Sequence, residues 1–210
     1  MVTSSLEEYL LGEVERGEII LVEYSSRVPI EEFAWEVIAP SLVGRGEVVV
    51  VDFLGVGSLL FRNYERKAPG REYTKLLELI KRLKVVQIGP STSNYGEVVE
   101  TLVPSEDPKG FLKNYHTLVN RIAKLPSKPD YMIVFGFAEH VYFGGDSVLR
   151  NLLTALATIP LEDWTVVAFI NFEILKPEQV AILEEISSAA FRITKDGIEI
   201  RKVKGRGEGE

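Results

Sequence analysis

The stretch EIILVEYSSRVPIEEFAWEVI, residues 18–38, decides the fold because it reads as a buried strand that runs through a short loop into an amphipathic helix. Its strand is nearly continuous in apolar residues, which is typical of parallel strands covered on both faces. Similar runs predict strands at residues 19–22, 48–53, 85–88, 131–135 and 165–170. Helical patterns lie between and after them, at residues 30–43, about 57–66, 72–83, 109–124, 146–158 and 177–187. The repetition predicts an α/β fold with a mostly parallel open sheet and helices on both faces.

The C-terminal part of the chain changes character. Two alternating segments flank Lys195-Asp196-Gly197, and Asp-Gly suits a tight turn, so residues 190–203 are predicted to form an antiparallel hairpin. The final GRGEGE, residues 205–210, has no apolar anchor and is expected to be loose. No linker or repeat interrupts the chain, and we expect one domain over residues 1–210.

Composition excludes several kinds of site. The chain has no Cys, which rules out disulfides and thiolate chemistry, and only two His, which leaves little for a histidine-built metal site. It contains no signal peptide or long apolar run, so we expect a cytoplasmic protein without a membrane span. The scarcity of Gln and Met beside abundant Glu, Lys, Val and Ile suggests a hyperthermophilic source.

The charge is unevenly distributed. A formal net charge of −7 makes nucleic-acid binding unlikely as a general property. Residues 62–84 nevertheless carry eight Lys or Arg against three Glu. This basic segment is interpreted as the solvated face of a helix, and the alternative is a surface for an anionic partner.

The carboxyl ends of parallel strands are where such folds bind ligands. In this sequence that edge is predicted to hold residues 23–27, Asp52, residues 89–93, residues 136–140 and residues 171–173.

The order and residue character of these elements resemble those of the RecA/KaiC-like ATPase core. The fold class is accordingly expected to be a three-layer, RecA-like (P-loop NTPase-like) sheet closed by the hairpin. More narrowly, the sequence resembles a family of unknown function from hyperthermophilic archaea that descends from this core. After a predicted N-terminal helix, the resemblance lies in the segments RGEIILVE (16–23), GRGEVVVVDF (44–53), KPDYMIVFGF (128–137), WTVVAFINFE (164–173) and IEIRKVKG (198–205).

The ATPase signatures that this resemblance implies are missing. The phosphate loop G-x-x-x-x-G-K-[ST] corresponds to EYSSRVPI, residues 23–30, which has no Gly or Lys and places Glu23 where phosphate charge needs relief. Gly136 stands in place of the magnesium-organising aspartate, and Leu54 and Gly55 stand in place of the catalytic glutamates. We therefore expect no catalytic residues, no bound metal, no cofactor and no conventional ATP hydrolysis.

The residues left at the edge are candidates for binding. Ser25, Ser26 and Arg27 could hold an anion. The plainer interpretation is that Ser26 caps the helix and Arg27 forms a surface ion pair. Asp52 could bind a ligand or cation or cap the turn after its strand. Asn171 lies where the resemblance implies the polar sensor of RecA-like ATPases.

A second group of candidates follows the fifth predicted strand. Glu139 and His140, with Glu173 nearby, could do acid–base work, or could be a loop histidine and a structural ion pair. Phe137, Val141, Tyr142 and Phe143 are expected in a loop, either over the edge of the core or as a partner-binding patch.

The sequence thus favours a non-catalytic binding or regulatory module, which would act in a homo-oligomer or with a protein partner. One alternative is a small-anion or nucleotide-binding protein or enzyme with a rebuilt site at the same edge. Another is an adaptor that uses the basic segment.

Overall fold

The computed structural model describes Tyr9, Gly12 and residues 14–68, 70–159 and 164–203, apart from the side chains of Arg71 and Glu72. These residues form one eight-stranded sheet in the order β4-β3-β2-β5-β6-β1-β7-β8. All neighbouring strands are parallel except β7 and β8, which form an antiparallel hairpin. The strands are β1 (Ile19–Tyr24), β2 (Val48–Phe53), β3 (Lys84–Ile88), β4 (Glu97–Leu102), β5 (Tyr131–Phe135), β6 (Thr165–Asn171), β7 (Ala189–Thr194) and β8 (Gly197–Val203).

Helices cover both faces of this sheet. Helix α1 consists of three consecutive parts, Ile30–Glu32, a π-helical turn Phe33–Ile38 and Ala39–Val43. The others are α2 (Val56–Lys67), α3 (Gly70–Arg82), α4 (Pro108–Ala123), α5 (Phe137–Gly144), α6 (Asp146–Thr158) and α7 (Pro177–Ile186), with a 3₁₀ turn at Phe172–Ile174.

The core is split between the two faces because successive side chains of a strand point to opposite sides. Helices α1, α2 and α3 pack on one face, where Trp35 lies within ring-contact distance of Phe61, Tyr95 and Phe135. Helices α4 to α7 supply the apolar side chains on the other face. This arrangement leaves the carboxyl ends of β2, β5, β6 and β1 side by side at one edge.

The predicted fold class and the C-terminal hairpin are confirmed, and two local expectations are corrected. Residues 137–143 do not form a loop, because they belong to helix α5. Strand β4, with the sequence EVVETL, was not predicted; it lies at the sheet edge and is largely exposed. The loose tail expected at 205–210 lies outside the described residues. In the described part of the chain, each helix is too short or too polar to cross a membrane.

Candidate functional site at the carboxyl edge

The loop after β1 is occupied by a carboxylate from its own chain. Ser25 Oγ donates a hydrogen bond of 2.7 Å to Glu173 Oε1, and the Ser26 backbone N–H donates one of 3.0 Å to Glu173 Oε2. The Ser25 hydrogen bond, followed by the Ser26 N–H, lowers the pKa of Glu173. Both oxygens of Glu173 therefore use the donors that this loop could offer to an external anion.

Asn171 fixes this contact in place. As the last residue of β6, it lies opposite Tyr24 in the parallel register. Its Nδ2 donates a hydrogen bond of 3.0 Å to Ser26 Oγ, while its Oδ1 accepts one of 3.2 Å from the Glu173 N–H. Asn171 thus positions the loop and the carboxylate together.

Arg27 is exposed on the same loop. Its backbone N–H donates to Ser25 Oγ at 3.3 Å, and its positive charge is a minor contribution to the lowered pKa of Glu173. Ser25, Ser26, Arg27 and Asn171, which the sequence singled out separately, therefore form one cluster around Glu173.

Glu23 lies below this cluster and is completely buried. Its Oε2 accepts a hydrogen bond of 2.6 Å from Arg192 Nε on the adjacent strand β7, but its Oε1 has no hydrogen-bond partner among the described residues. Burial raises the pKa of Glu23 to about 7, against the opposing effect of Arg192. The Arg192 guanidinium also lies 4.5 Å from the centre of the Phe172 ring. Sequence reasoning missed Arg192, which no motif connects to Glu23 and which only the strand register brings close.

Asp52 is a separate centre, because β5 and β6 lie between β2 and β1 in the sheet. Its carboxylate is fully buried and accepts hydrogen bonds from the N–H groups of Gly57 (2.8 Å) and Ser58 (3.0 Å). Ser58 Oγ (3.1 Å) and Tyr95 Oη (3.3 Å) donate to it as well. Burial raises the pKa of Asp52, although these donors oppose the shift. The carboxylate caps the first turn of α2, after a connection in which Leu54 adopts a strained φ of +57°.

Helix α5 begins at Gly136, in a backbone conformation that disfavours a side chain. Gly136 has a φ of +76°, and a Cβ atom there would collide with the carbonyl oxygen of Phe53. The resemblance implies an aspartate at this position. The local geometry is suited to glycine and not to a carboxylate.

Glu139 and His140 point into different surroundings. Glu139 Oε2 is buried without a hydrogen-bond partner among the described residues, and burial raises the pKa of Glu139. His140 is 3% exposed and stacks on Phe53 and Phe111, with ring centres 5.4 and 6.3 Å apart. Burial lowers the pKa of His140, and the carboxylate that acts on it electrostatically is Glu106 rather than Glu173.

The basic segment 62–84 is partly neutralised by the fold. Lys67 Nζ lies 2.6 Å from Glu31 Oε1, and Arg82 donates to the Val43 carbonyl at 2.6 Å. Lys84 pairs with Glu97. Three of the segment's cations therefore hold α1 and β4 in place, and Arg62, Arg66, Lys75 and Lys81 are exposed to solvent.

Taken together, the edge offers polar contacts but little free binding capacity. Within the described ranges, no group of three or more His, Asp or Glu side chains could hold a metal ion. The two best-formed polar centres, around Glu173 and Asp52, both have their donors and acceptors paired within the chain.

A family model described as a Pyrococcus protein of unknown function, DUF257, matches residues 9–205. The chain belongs to this family. Among proteins of curated function, none matches the sequence.

Solved structures resemble the chain in fold. A protein studied as PH0250 from Pyrococcus horikoshii is 19% identical with a TM-score of 0.77, over 95% of this chain and 93% of that one. The flagellar accessory protein FlaH from Methanocaldococcus jannaschii is 15% identical with a TM-score of 0.55, over 96% and 86%. An uncharacterised protein, PH0321 from Pyrococcus horikoshii, in complex with an unknown peptide, is 13% identical with a TM-score of 0.54, over 93% and 88%. The chain therefore has a RecA-like fold, and its family is an archaeal one of unknown function.

Proposed function

We propose that this DUF257 chain is a RecA-like module that does not hydrolyse nucleotides and acts by binding a protein partner. The observation that carries the proposal is that the Glu173 carboxylate accepts hydrogen bonds from the loop after β1. In P-loop proteins the corresponding backbone N–H groups surround a phosphate, and a lysine neutralises its charge. Here Ser25 and Ser26 donate instead to an internal carboxylate, whose negative charge opposes the approach of a phosphate.

Two further features support the loss of phosphoryl-transfer chemistry. Gly136 holds a left-handed conformation against the Phe53 carbonyl, so a magnesium-binding aspartate would be strained there. Asp52 is already engaged by four donors at the start of α2. Neither position is free to organise a metal ion and a water nucleophile.

Nucleotide binding can be tested by thermal unfolding with and without magnesium ATP. Ligand at about 100 times its dissociation constant stabilises a protein by roughly 2.7 kcal/mol, which is easily detected. We expect no shift for the wild-type chain, for Glu173→Gln or for the control Glu178→Gln, an exposed carboxylate on α7. A magnesium-dependent shift in the wild type would contradict the proposal. A shift only in Glu173→Gln would show that the loop is intact and that Glu173 blocks it.

The partner-binding face is proposed to be the end of α5. Tyr142 is 61% exposed, Phe143 is 71% exposed, and their rings form an edge-to-face pair with centres 5.3 Å apart. Phe137 and Val141 of the same helix are buried, so the four residues divide between the two interpretations that the sequence left open. Adjacent exposed aromatic rings are characteristic of protein interfaces. The neighbour PH0321 was solved in complex with an unknown peptide, which makes a peptide the natural probe.

A phage-displayed library of random 12-residue peptides tests this face directly. We expect enriched peptides to bind the wild-type chain and to lose binding to Phe143→Ser. Binding should persist with Leu59→Ser, which removes a comparably exposed apolar side chain from α2 on the other face. The proposal for α5 is wrong if no peptide is enriched, or if the enriched peptides bind Phe143→Ser as well as the wild type.

A further inference from the structure

A cavity of about 120 Å³ lies between the sheet and the helices α4, α6 and α7. Side chains from β2, β5, β6 and β1, the four central strands, form its floor. Val134 of β5 and Ala168 of β6 line it and remain partly accessible. Central strands of a doubly covered sheet are normally fully buried, so the helices leave a gap over the middle of this sheet.

The lining of the cavity is almost entirely apolar. The two hydroxyl-bearing side chains that reach it are already hydrogen-bonded to backbone carbonyls. Tyr115 Oη donates to the Ile159 carbonyl at 2.8 Å, and Ser187 Oγ donates to the Leu183 carbonyl at 2.6 Å. A water molecule in a protein cavity needs two to four polar partners, and an almost entirely apolar lining does not supply them. The cavity therefore favours a hydrocarbon over water.

A second cavity, of about 40 Å³, continues towards the carboxyl edge. It shares Phe53, Phe111 and Tyr115 with the larger one and reaches the ring of His140. The His140 ring stacks on Phe53 and Phe111, which line both spaces. The smaller cavity therefore lies on the side of the larger one that faces the carboxyl edge of the sheet.

We propose that the larger cavity is a binding site for a small apolar molecule or for the end of an alkyl chain. The inference is independent of the peptide-binding face proposed for α5. Its volume is close to that of an engineered apolar protein cavity of about 150 Å³, which stays dry and binds benzene or xenon. The lining offers contact area without polar groups to orient a ligand, so shape and size determine what fits.

The test uses the full chain with benzene and n-hexane as probes in thermal unfolding and calorimetry. Xenon-pressurised crystals locate the site. We expect both hydrocarbons to raise the unfolding temperature, and xenon to occupy the space beside Ala168. Ala168→Leu extends a side chain into the cavity and should weaken benzene binding at least tenfold. The control Ala181→Leu adds the same atoms to an exposed position on α7 and should bind benzene like the wild type.

Leu156→Ala provides an independent variant, because it enlarges the cavity rather than filling it. It should retain benzene binding and accept a larger ring such as naphthalene, even if Ala168→Leu folds poorly. The proposal is overturned if neither hydrocarbon binds the wild-type chain and xenon is absent from the cavity. It is also overturned if folded Ala168→Leu binds benzene as strongly as the wild type.

Discussion

Two carboxylates at the same edge of the sheet accept hydrogen bonds from backbone N–H groups. Asp52 does so in the turn after β2, and Glu173 does so in the loop after β1. Asp52 is fully buried and caps a helix that begins four residues later. Glu173 is exposed and reaches the β1 loop from 148 residues away in sequence. Burial raises the pKa of Asp52, whereas hydrogen bonds lower the pKa of Glu173.

This difference shows that similar contacts serve different ends. The Asp52 carboxylate is inside the fold, where removing an acceptor leaves buried donors without partners. The Glu173 carboxylate is at the surface, where water can replace it. We therefore expect the loss of the Asp52 carboxylate to reduce stability much more than the loss of the Glu173 carboxylate.

The largest expected effect is that of Asp52→Ala. The substitution removes the acceptor of four donors, the N–H groups of Gly57 and Ser58 and the hydroxyl groups of Ser58 and Tyr95. We expect a loss of about 3 kcal/mol in the free energy of unfolding, measured with guanidinium chloride. Asp52→Asn should lose less, because Asn is also an effective helix cap. A loss below about 1 kcal/mol for Asp52→Ala would mean that the carboxylate is available for a ligand.

The contrast between these regions also explains what the sequence could predict. The capping of α2 by Asp52 is local, so a carboxylate before a helical pattern was enough to suggest it. The pairing of Glu173 with Ser25 and of Arg192 with Glu23 depends on which strands are neighbours in the sheet. Residue types in one segment carry no information about a partner more than 140 positions away.

The elements themselves were mostly predictable because buried parallel strands are strongly apolar. Strand β4 was not, since its Glu residues interrupt the apolar pattern and only residues 89–96 join it to its parallel neighbour β3. Parallel strands usually need a crossover of a dozen or more residues, which argued against a strand there. Helix α5 follows Gly136 so closely that the glycines and aromatic residues around it resembled a loop.

The second prediction concerns Glu23, below the β1 loop. Its folded-state pKa of about 7 lies above the ordinary value of 4.5, so the folded chain binds more protons than the unfolded chain between these values. The stability that Glu23 contributes is therefore complete below pH 4.5 and is lost as the pH rises to 7. One pKa unit is worth about 1.4 kcal/mol, and the titration is only half complete at either end of this range, so we expect the free energy of unfolding to fall by roughly 2 to 3 kcal/mol.

Urea unfolding between pH 4.5 and 7.5 measures this fall, with Glu23→Gln as the comparison. The amide cannot titrate, so the variant should lack this component of the pH dependence. Arg192 faces Glu23 directly, and Glu184 and Arg201 extend the network, so the three must be left unchanged. Identical pH profiles for the two chains would show that Glu23 keeps an ordinary pKa.

The smallest effect on stability is expected at Glu173, and the pH dependence of this effect is opposite in sign to that of Glu23. Hydrogen bonds from Ser25 and Ser26 hold the pKa of Glu173 below its usual value, so its contribution is present above the ordinary pKa and is lost as the pH falls through the folded-state pKa. Glu173→Gln should lower the unfolding temperature slightly at pH 6, and the difference from the wild type should shrink as the pH falls below the ordinary pKa of a glutamate. The Ser25→Ala variant should raise the pKa of Glu173, as followed by NMR titration of its side-chain carboxyl, because the Ser25 hydrogen bond contributes most to the lowered pKa. If Ser25→Ala leaves that pKa unchanged, Glu173 does not rest in the β1 loop in solution, and the loop is open to other anions.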